Sequence, residues 1–342
     1  LEVELHGMDQ RKQRILGAVV SDYTKTVVPV GSHALAARYF LELSSATIRN
    51  ELSELVDDGF LAQPHASAGR IPTDQGYRYF VDFLLPQEIV EPQLRRQVRQ
   101  SFEEVSHDVE ATLELAAATL SRLSDNVALV TGPTNSGSKL LHAELVWIRP
   151  GQALLVQVGS GNAVNQRVVE VEAGLDQVEL TDVAARLNRA LAGLTADEIE
   201  IAPQDVTLSA ELVREVSRGL RQLETRSSLV IHDGLRNLVR QPEFEDPIRL
   251  RTVLDVLEAQ RILAAVMSEL SPQIGMQVVI GHENSLAELR DCSLVLTSYR
   301  VGEHLWGTIG VVGPTRIHYG RVAARLQFIS QVTGEALSRL LA

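Results

Sequence analysis

Between residues 44 and 53 the chain reads SSATIRNELS, with Ser44, Ser45, Thr47, Arg49, Asn50 and Ser53 off the apolar stripe of what its periodicity makes a helix. Short hydroxyl and amide side chains with one guanidinium are the groups that reach base edges and phosphates in a major groove. No acid occurs from 44 to 50, so the positive end of the helix dipole stays unopposed, as suits approach to phosphate. A dozen residues on, PHASAGR at 64–70 is a loop of small residues tipped by His65 and Arg70, with Ser67 between them. Such a loop approaches a DNA backbone closely, and Arg70 can enter a minor groove or clamp a phosphate. Each feature has a bland reading beside this one. A polar stripe is commonly a solvated helix face, and a lone histidine an incidental surface residue.

The elements that position these groups follow from spacing. Ile15, Leu16, Val19 and Val20 recur at helical intervals within 10–23, and the β-branched run around Pro29 ends that helix. Ser32 is read as the N-cap of a second helix reaching Phe40, and Ser44 as the N-cap of a third. Ile48, Leu52 and Leu55 at i, i+4, i+7 bury one face of that third helix. Asp58-Gly59 stops it, residues 60–63 make a strand, and Thr73 caps a further helix whose Tyr77, Phe80, Val81 and Leu84 face inward until Pro86. Helix, helix, recognition helix and a wing is the layout of a DNA-binding head.

The totals place the chain among folded proteins: 342 residues, 45% hydrophobic, 22% charged, enough for two or three domains. No apolar run reaches the ~18–20 residues that span a bilayer, and residues 1–7, which precede Met8 and read as an extension, lack signal-peptide order. The single Cys292 excludes an intramolecular disulfide framework and a cysteine-cluster zinc site; a small buried residue is the plainer reading. A cytoplasmic protein is expected. The net charge of −12 argues at first against nucleic acid, but residues 9–80 hold eight bases and eight acids, so the excess acidity lies elsewhere. An acidic body suppresses non-specific binding to polyanions and leaves affinity to local geometry.

The stretches that come nearest to catalytic or cofactor signatures each lack a required feature. The loop 132–139, GPTNSGSK, has Ser then Lys where a phosphate-binding loop needs Lys then Ser/Thr, and reads as a hairpin turn. Residues 159–162 are a turn without the helix a dinucleotide fingerprint requires. His282-Glu283-Asn284 lacks a zincin's second histidine. It reads as a turn, with Asn284 or Ser285 capping a segment at 286–290, or as a contact surface between subunits. No nucleophile elbow appears. No catalytic residue, cofactor or metal is assigned.

Downstream, Leu94, Val98, Phe102, Val105, Val109, Leu113, Ala116, Leu120 and Leu123 make one long amphipathic helix. Strand-like runs at 127–130, 140–148, 153–158 and 164–172 suggest an antiparallel meander. Helical patterns cover 183–194, 210–224, 229–240 and 248–270; strands return at 276–280, 293–301 and 305–312, and an amphipathic helix closes the chain at 321–341. Strands, then helices, then strands suit a mainly helical insertion into an α+β domain.

The block SSATIRNELSELVDDGFLAQPHASAGRIPTDQGYRYFVDFL resembles the signature of HrcA, the heat-inducible transcription repressor family of bacteria. IHDGLRNLVRQPEF at 231–244, VVIGHEN at 278–284 and GTIGVVGPTRIHYGR at 307–321 continue it in order along nearly the whole chain. The resemblance implies an α+β multidomain protein. Its expected parts are a winged helix-turn-helix domain at 8–86, a GAF-like domain at 87–175 and 263–342, and an inserted, mainly helical dimerisation domain at 176–262. It also implies a homodimer that binds an inverted-repeat operator on double-stranded DNA upstream of chaperone operons, with a GroE-type chaperonin as partner and no membrane. Two other readings stay open: a regulator whose GAF-like body senses a small molecule, and an enzyme whose N-terminal module serves protein contacts.

Overall fold

The structure is a computed structural model that describes residues 8–105, 107–133, 139–159, 164–201, 209–226, 230–269, 275–302 and 305–341. The extension at 1–7, most of the loop at 132–139, the turn at 159–162 beyond Gly159 and the end of the helix expected to reach 270 lie outside the described residues. The fold is α+β, and the chain forms two compact units. One comprises Leu1–Val130, Ile231–Ser298 and Thr308–Ala336; the other Thr131–Val230, Tyr299–Gly307 and Leu337–Ala342.

The first unit opens with α1 (Gln10–Thr26), α2 (Ser32–Arg38) and α3 (Ser45–Asp57). Asp9 caps α1 by accepting from the Lys12 N–H, and Ile15, Leu16, Val19 and Val20 are buried as the spacing predicts. Gly31, not Ser32, is the N-cap of α2; Ser32 is the first helical residue, and the helix ends before Phe40, which turns inward at 2% exposure. Strands β1 (Leu61–Ala62) and β2 (Ile71–Pro72) pair antiparallel, Leu61 opposite Pro72. They are shorter than the expected 60–63 because only these positions face a partner. Thr73 caps α4 (Asp74–Tyr79) as expected, and a π-helical turn at Phe80–Leu84, unforeseen, continues it. Tyr77 and Phe80 are buried, Val81 and Leu84 only half-buried.

The expected long helix is two: α5 (Pro92–Glu104) and α6 (Val109–Ser124). Asp108 breaks it, its carboxylate accepting from the N–H groups of Glu110 and Ala111 as a new N-cap. Then β3 (Val127–Thr131) leaves the expected meander and pairs with a strand near the end of the chain. All four of its residues 127–130 are fully buried, so it suits the middle of a covered sheet rather than a half-exposed meander.

The meander that does form, in the second unit, is β4 (Leu140–Arg149), β5 (Gln152–Gly159) and β6 (Val164–Glu170), in that order. Its inner face packs on α7 (Gln177–Leu191), α8 (Ala196–Ile201) and α9 (Ala210–Arg226) through Leu145, Leu155, Val169, Leu187, Ile199 and Val216. Asn188 of α7 brackets Ala143 with paired 2.8 Å hydrogen bonds, and the Gln177 side chain bridges Trp147 and Leu145. These close the free edge of β4.

Returning to the first unit, the helix expected at 229–240 is a strand, β7 (Val230–Asp233), and a short helix, α10 (Leu235–Val239). Gly234 at φ +91° makes the turn between them, and a side chain there would crowd Ser121 and Asn126. Likewise 248–270 divides into α11 (Pro247–Glu258) and α12 (Gln260–Glu269). Strands β8 (Met276–Ile280), β9 (Cys292–Val301) and β10 (Leu305–Pro314) complete a sheet ordered β7-β3-β10-β9-β8 before α13 (Tyr319–Leu341). Between β8 and β9, Asn284 does not cap the segment expected at 286–290, where a 3₁₀ turn at Ala287–Leu289 has Leu286 as its N-cap and no side-chain cap. Asn284 is buried and donates to the carbonyls of Gly281, Leu289 and Cys292, holding its own turn. Burial pushes the Cys292 thiol up to about 12, so it stays a protonated core residue.

His318, just before α13, lies half-buried near Arg321, Lys25, Arg316 and Arg325; burial first, and these cations second, lower its pKa from 6.5 to about 4. Between those values the unfolded chain binds a proton that the folded chain excludes, so stability falls as pH drops through this window. Discounted for solvent screening, the loss is about 1 kcal/mol from pH 7 to 5. His318→Asn is expected to flatten the urea-unfolding stability between those pH values by that amount; parallel pH profiles would contradict it.

Candidate nucleic-acid interface

Helix α3 stands on its apolar stripe: Ile48, Leu52 and Leu55 are at most 3% exposed, and the helix packs on α1 and α2. Ser44 is the N-cap, its Oγ accepting from the Thr47 N–H at 3.1 Å and lying 2.9 Å from Thr47 Oγ1. Of the groups singled out, Ser44, Arg49 and Asn50 are exposed, while Ser45, Thr47 and Ser53 are half-buried; Ser53 Oγ donates back to the Arg49 carbonyl at 3.0 Å. The stripe thus presents one cation and one amide fully, with hydroxyls recessed around them.

The loop after β1 is built differently from the sequence expectation. His65 and Ser67 are exposed near its tip, where the Ala68 N–H donates to the His65 carbonyl, but Arg70 lies at the base. Its backbone pairs with Val30 through two 2.9 Å hydrogen bonds, and its Nη1 donates to the Ala68 carbonyl at 3.3 Å. Arg70 Nε is buried without a hydrogen-bond partner. A Cβ at Gly69 would lie 2.6 Å from the Pro29 backbone, so only glycine lets the loop sit this close to the α1–α2 connection. Gln63 fixes the loop from within, donating to the carbonyls of Ala66 and Ala68.

Between α3 and the loop opens a cleft of about 510 Å³. Arg49, Ser67 and Arg70 line it together; Ser44, Ser45, Thr47, Asn50, Ser53 and His65 do not. Ser32, His33 and Gln63 also line it and were missed. The sequence signal for them is weak: Ser32 has the pattern of a cap, and nothing local ties His33 to a loop over thirty residues away.

Pairing of charges sharpens the neutral count of this region. Five of its eight bases are engaged: Arg11 with Glu51, Lys12 with Glu54, Arg14 with Glu42, Arg38 with Asp22, and Arg78 with Asp82 and Glu283. Lys25, Arg49 and Arg70 make no ion pair among the described residues. Two of those three line the cleft. Glu51 and Glu54 of α3 are drawn onto α1, away from Arg49.

An α+β chain with this exposed helix and loop has the features of a transcription regulator, and the comparisons with known proteins give the particular family. The model of the HrcA protein C-terminal domain matches residues 110–323. Heat-inducible transcription repressor HrcA of Desulforamulus reducens is 35% identical over 98% of both chains, and that of Natranaerobius thermophilus 36% identical over 96% of both. A solved structure described as a hypothetical protein shares the fold, with a TM-score of 0.60 at 22% identity over 97% of this chain and 98% of its own. The chain belongs to the HrcA family of heat-inducible transcription repressors, a regulatory and non-enzymatic role.

The Ser44 cap satisfies an otherwise orphaned N–H at the start of α3. Ser44→Ala is expected to destabilise the protein by about 1 kcal/mol in urea unfolding. An unchanged midpoint would mean that water replaces the cap at no cost.

Proposed function

We propose that the N-terminal region, 8–86, is a winged-helix head that reads one half-site of an inverted-repeat operator in double-stranded DNA, and that the chain represses chaperone operons as a homodimer. The observation that carries this is the cleft that gathers Arg49, Ser67 and Arg70 between an exposed helix and a loop, where the region's unpaired cations concentrate. In this reading α3 lies in the major groove, with Arg49 and Asn50 toward base edges and Ser44, Ser45, Thr47 and Ser53 toward the backbone. His65 and Ser67 follow the adjacent phosphates, and Arg70, fixed at the loop base, holds a phosphate from the cleft.

Two-fold operator symmetry requires a two-fold protein. The outer face of the three-stranded sheet supports pairing. Val146, Leu154 and Val168 form one cross-strand row and Val158 and Val164 another, with Val146, Val164 and Val168 between 42% and 55% exposed. An apolar face of this kind suits an association site, and we place the dimer contact there, on the unit whose helices α7–α9 fall in the dimerisation insertion expected at 176–262. The GAF-like body and its division at 87–175 and 263–342, the GroE-type chaperonin as the partner that maintains the active body, and a cytoplasmic location complete the proposal. No helix among the described residues is long and apolar enough to cross a membrane.

Arg49→Ala and Arg70→Ala are each expected to weaken binding to the operator duplex by roughly tenfold, about 1.4 kcal/mol, in band shifts, while sedimentation shows an unchanged dimer. Unaltered affinity in both variants would remove the proposed contact surface.

A further inference from the structure

The block His282-Glu283-Asn284 has no part in the DNA reading above, and the side chain of Asn284 serves its own turn alone. His282 and Glu283 instead face α4 of the head, from a 3₁₀ turn at Gly281–Glu283 that follows β8. Arg78 Nε donates to Glu283 Oε1 at 2.8 Å and its Nη2 to Oε2, a two-pronged contact, while Nη2 also donates to the Val278 carbonyl at 2.7 Å. One turn earlier on α4, Asp74 Oδ2 accepts from the His282 backbone N–H at 2.9 Å and lies 2.8 Å from its Nδ1. Gly281, at φ +51°, carries the close approach: a Cβ there would collide with the Asp74 carboxylate. Glu283 is itself anchored, accepting from the Ile280 N–H at 2.9 Å.

The two contacts have opposite polarity. The head offers an acid at 74 and a base at 78; the body offers a backbone donor and imidazole at 282 and an acid at 283. Sliding α4 by one turn, about 5.4 Å, would set Asp74 against Glu283, so the pair admits one register. The charged side chains are partly exposed, so the contact adds little to stability, but a bidentate fork constrains orientation. Helix α4 is in turn joined firmly to the reading elements. Thr73 Oγ1, its cap, donates to the carbonyl of Gly59 at the end of α3 at 2.7 Å, and β2 runs directly into it.

We propose that Asp74, Arg78, His282 and Glu283 form a polarity-keyed clasp that sets the angle of α3 on the body and thereby the half-site separation the dimer accepts. They are positioning residues, and the inference rests on the reading of the head as DNA-binding within a dimer. The test uses the full chain in band shifts. The probes are the inverted-repeat promoter duplex of its own chaperone operon, versions with the half-sites moved by about one to three base pairs, and a duplex with one half-site. Wild type is expected to prefer a single spacing. Glu283→Arg is expected to bind the native spacing at least about tenfold more weakly, to lose the spacing preference, and to keep its affinity for the single half-site. The swap Arg78→Glu with Glu283→Arg is expected to restore both properties. Glu283→Gln, which keeps the shape, serves if the reversal does not fold, and is expected to broaden the spacing preference. Folded variants with the wild-type spacing preference would overturn the clasp, as would equal losses on single and paired half-sites or a swap no better than the reversal. Failure of the wild type to bind any duplex would instead overturn the DNA-binding reading itself, and the clasp with it.

Discussion

Two hydrogen bonds between Val30 and Arg70 decide where the loop of 63–70 stands. They tie its base to the connection between α1 and α2, at a spacing that only Gly69 tolerates. Without them the loop would hang from a two-residue pair of strands, which is marginal by itself. The same connection starts at Val27, a β-branched residue held at φ +57° as the C-cap of α1. That conformation costs on the order of 1–2 kcal/mol, and the buried helices on either side hold it. Loop position, cleft and the setting of Arg49 against Arg70 follow from this one junction.

Charge placement is the second constraint. A region with equal numbers of acids and bases has no net attraction for a polyanion, yet its charges are not interchangeable. The acids at 42, 51 and 54 are spent on bases of α1, and Asp22 on Arg38 of α2. The pairs of Glu42 and Glu54 are exposed and add little stability, while Glu51 and Asp22 are buried, where their partners offset the cost of burying a carboxylate. The consequence of the pairing is topographic: two of the three cations left over, Arg49 and Arg70, lie beside the helix and loop proposed to meet DNA. With so few, non-specific affinity is low, and in the proposed dimer specific affinity comes from engaging two half-sites together.

Much of this was legible in the sequence because it was local. The stripe of Ile48, Leu52 and Leu55, the caps at Ser44 and Thr73, and the Gly59 stop are each set by residues within a few positions, and all stand in the structure. Elements that depend on distant partners were not legible. The strand at 127–130 reads like part of a meander until its partner in β10, nearly two hundred residues on, is known. The split of the long helix at Asp108 turned on one cap competing with a continuous apolar period. Arg70 looked like a tip because the sequence does not reveal its bridge to Val30. His33 and the contacts of His282 and Glu283 with α4 were invisible for the same reason. Family membership was legible throughout, since its blocks are contiguous strings rather than spatial patterns.

In the proposed complex two such heads, held by one body pair, read a symmetric duplex. Hydroxyl-radical footprinting of the promoter of its own chaperone operon, with purified full-length protein, tests this most directly. Two equivalent segments of backbone protection related by a dyad are expected, each covering the sugars that flank the groove holding α3 and those reached by the loop. A single asymmetric footprint, or none at concentrations where the protein is dimeric, would contradict it.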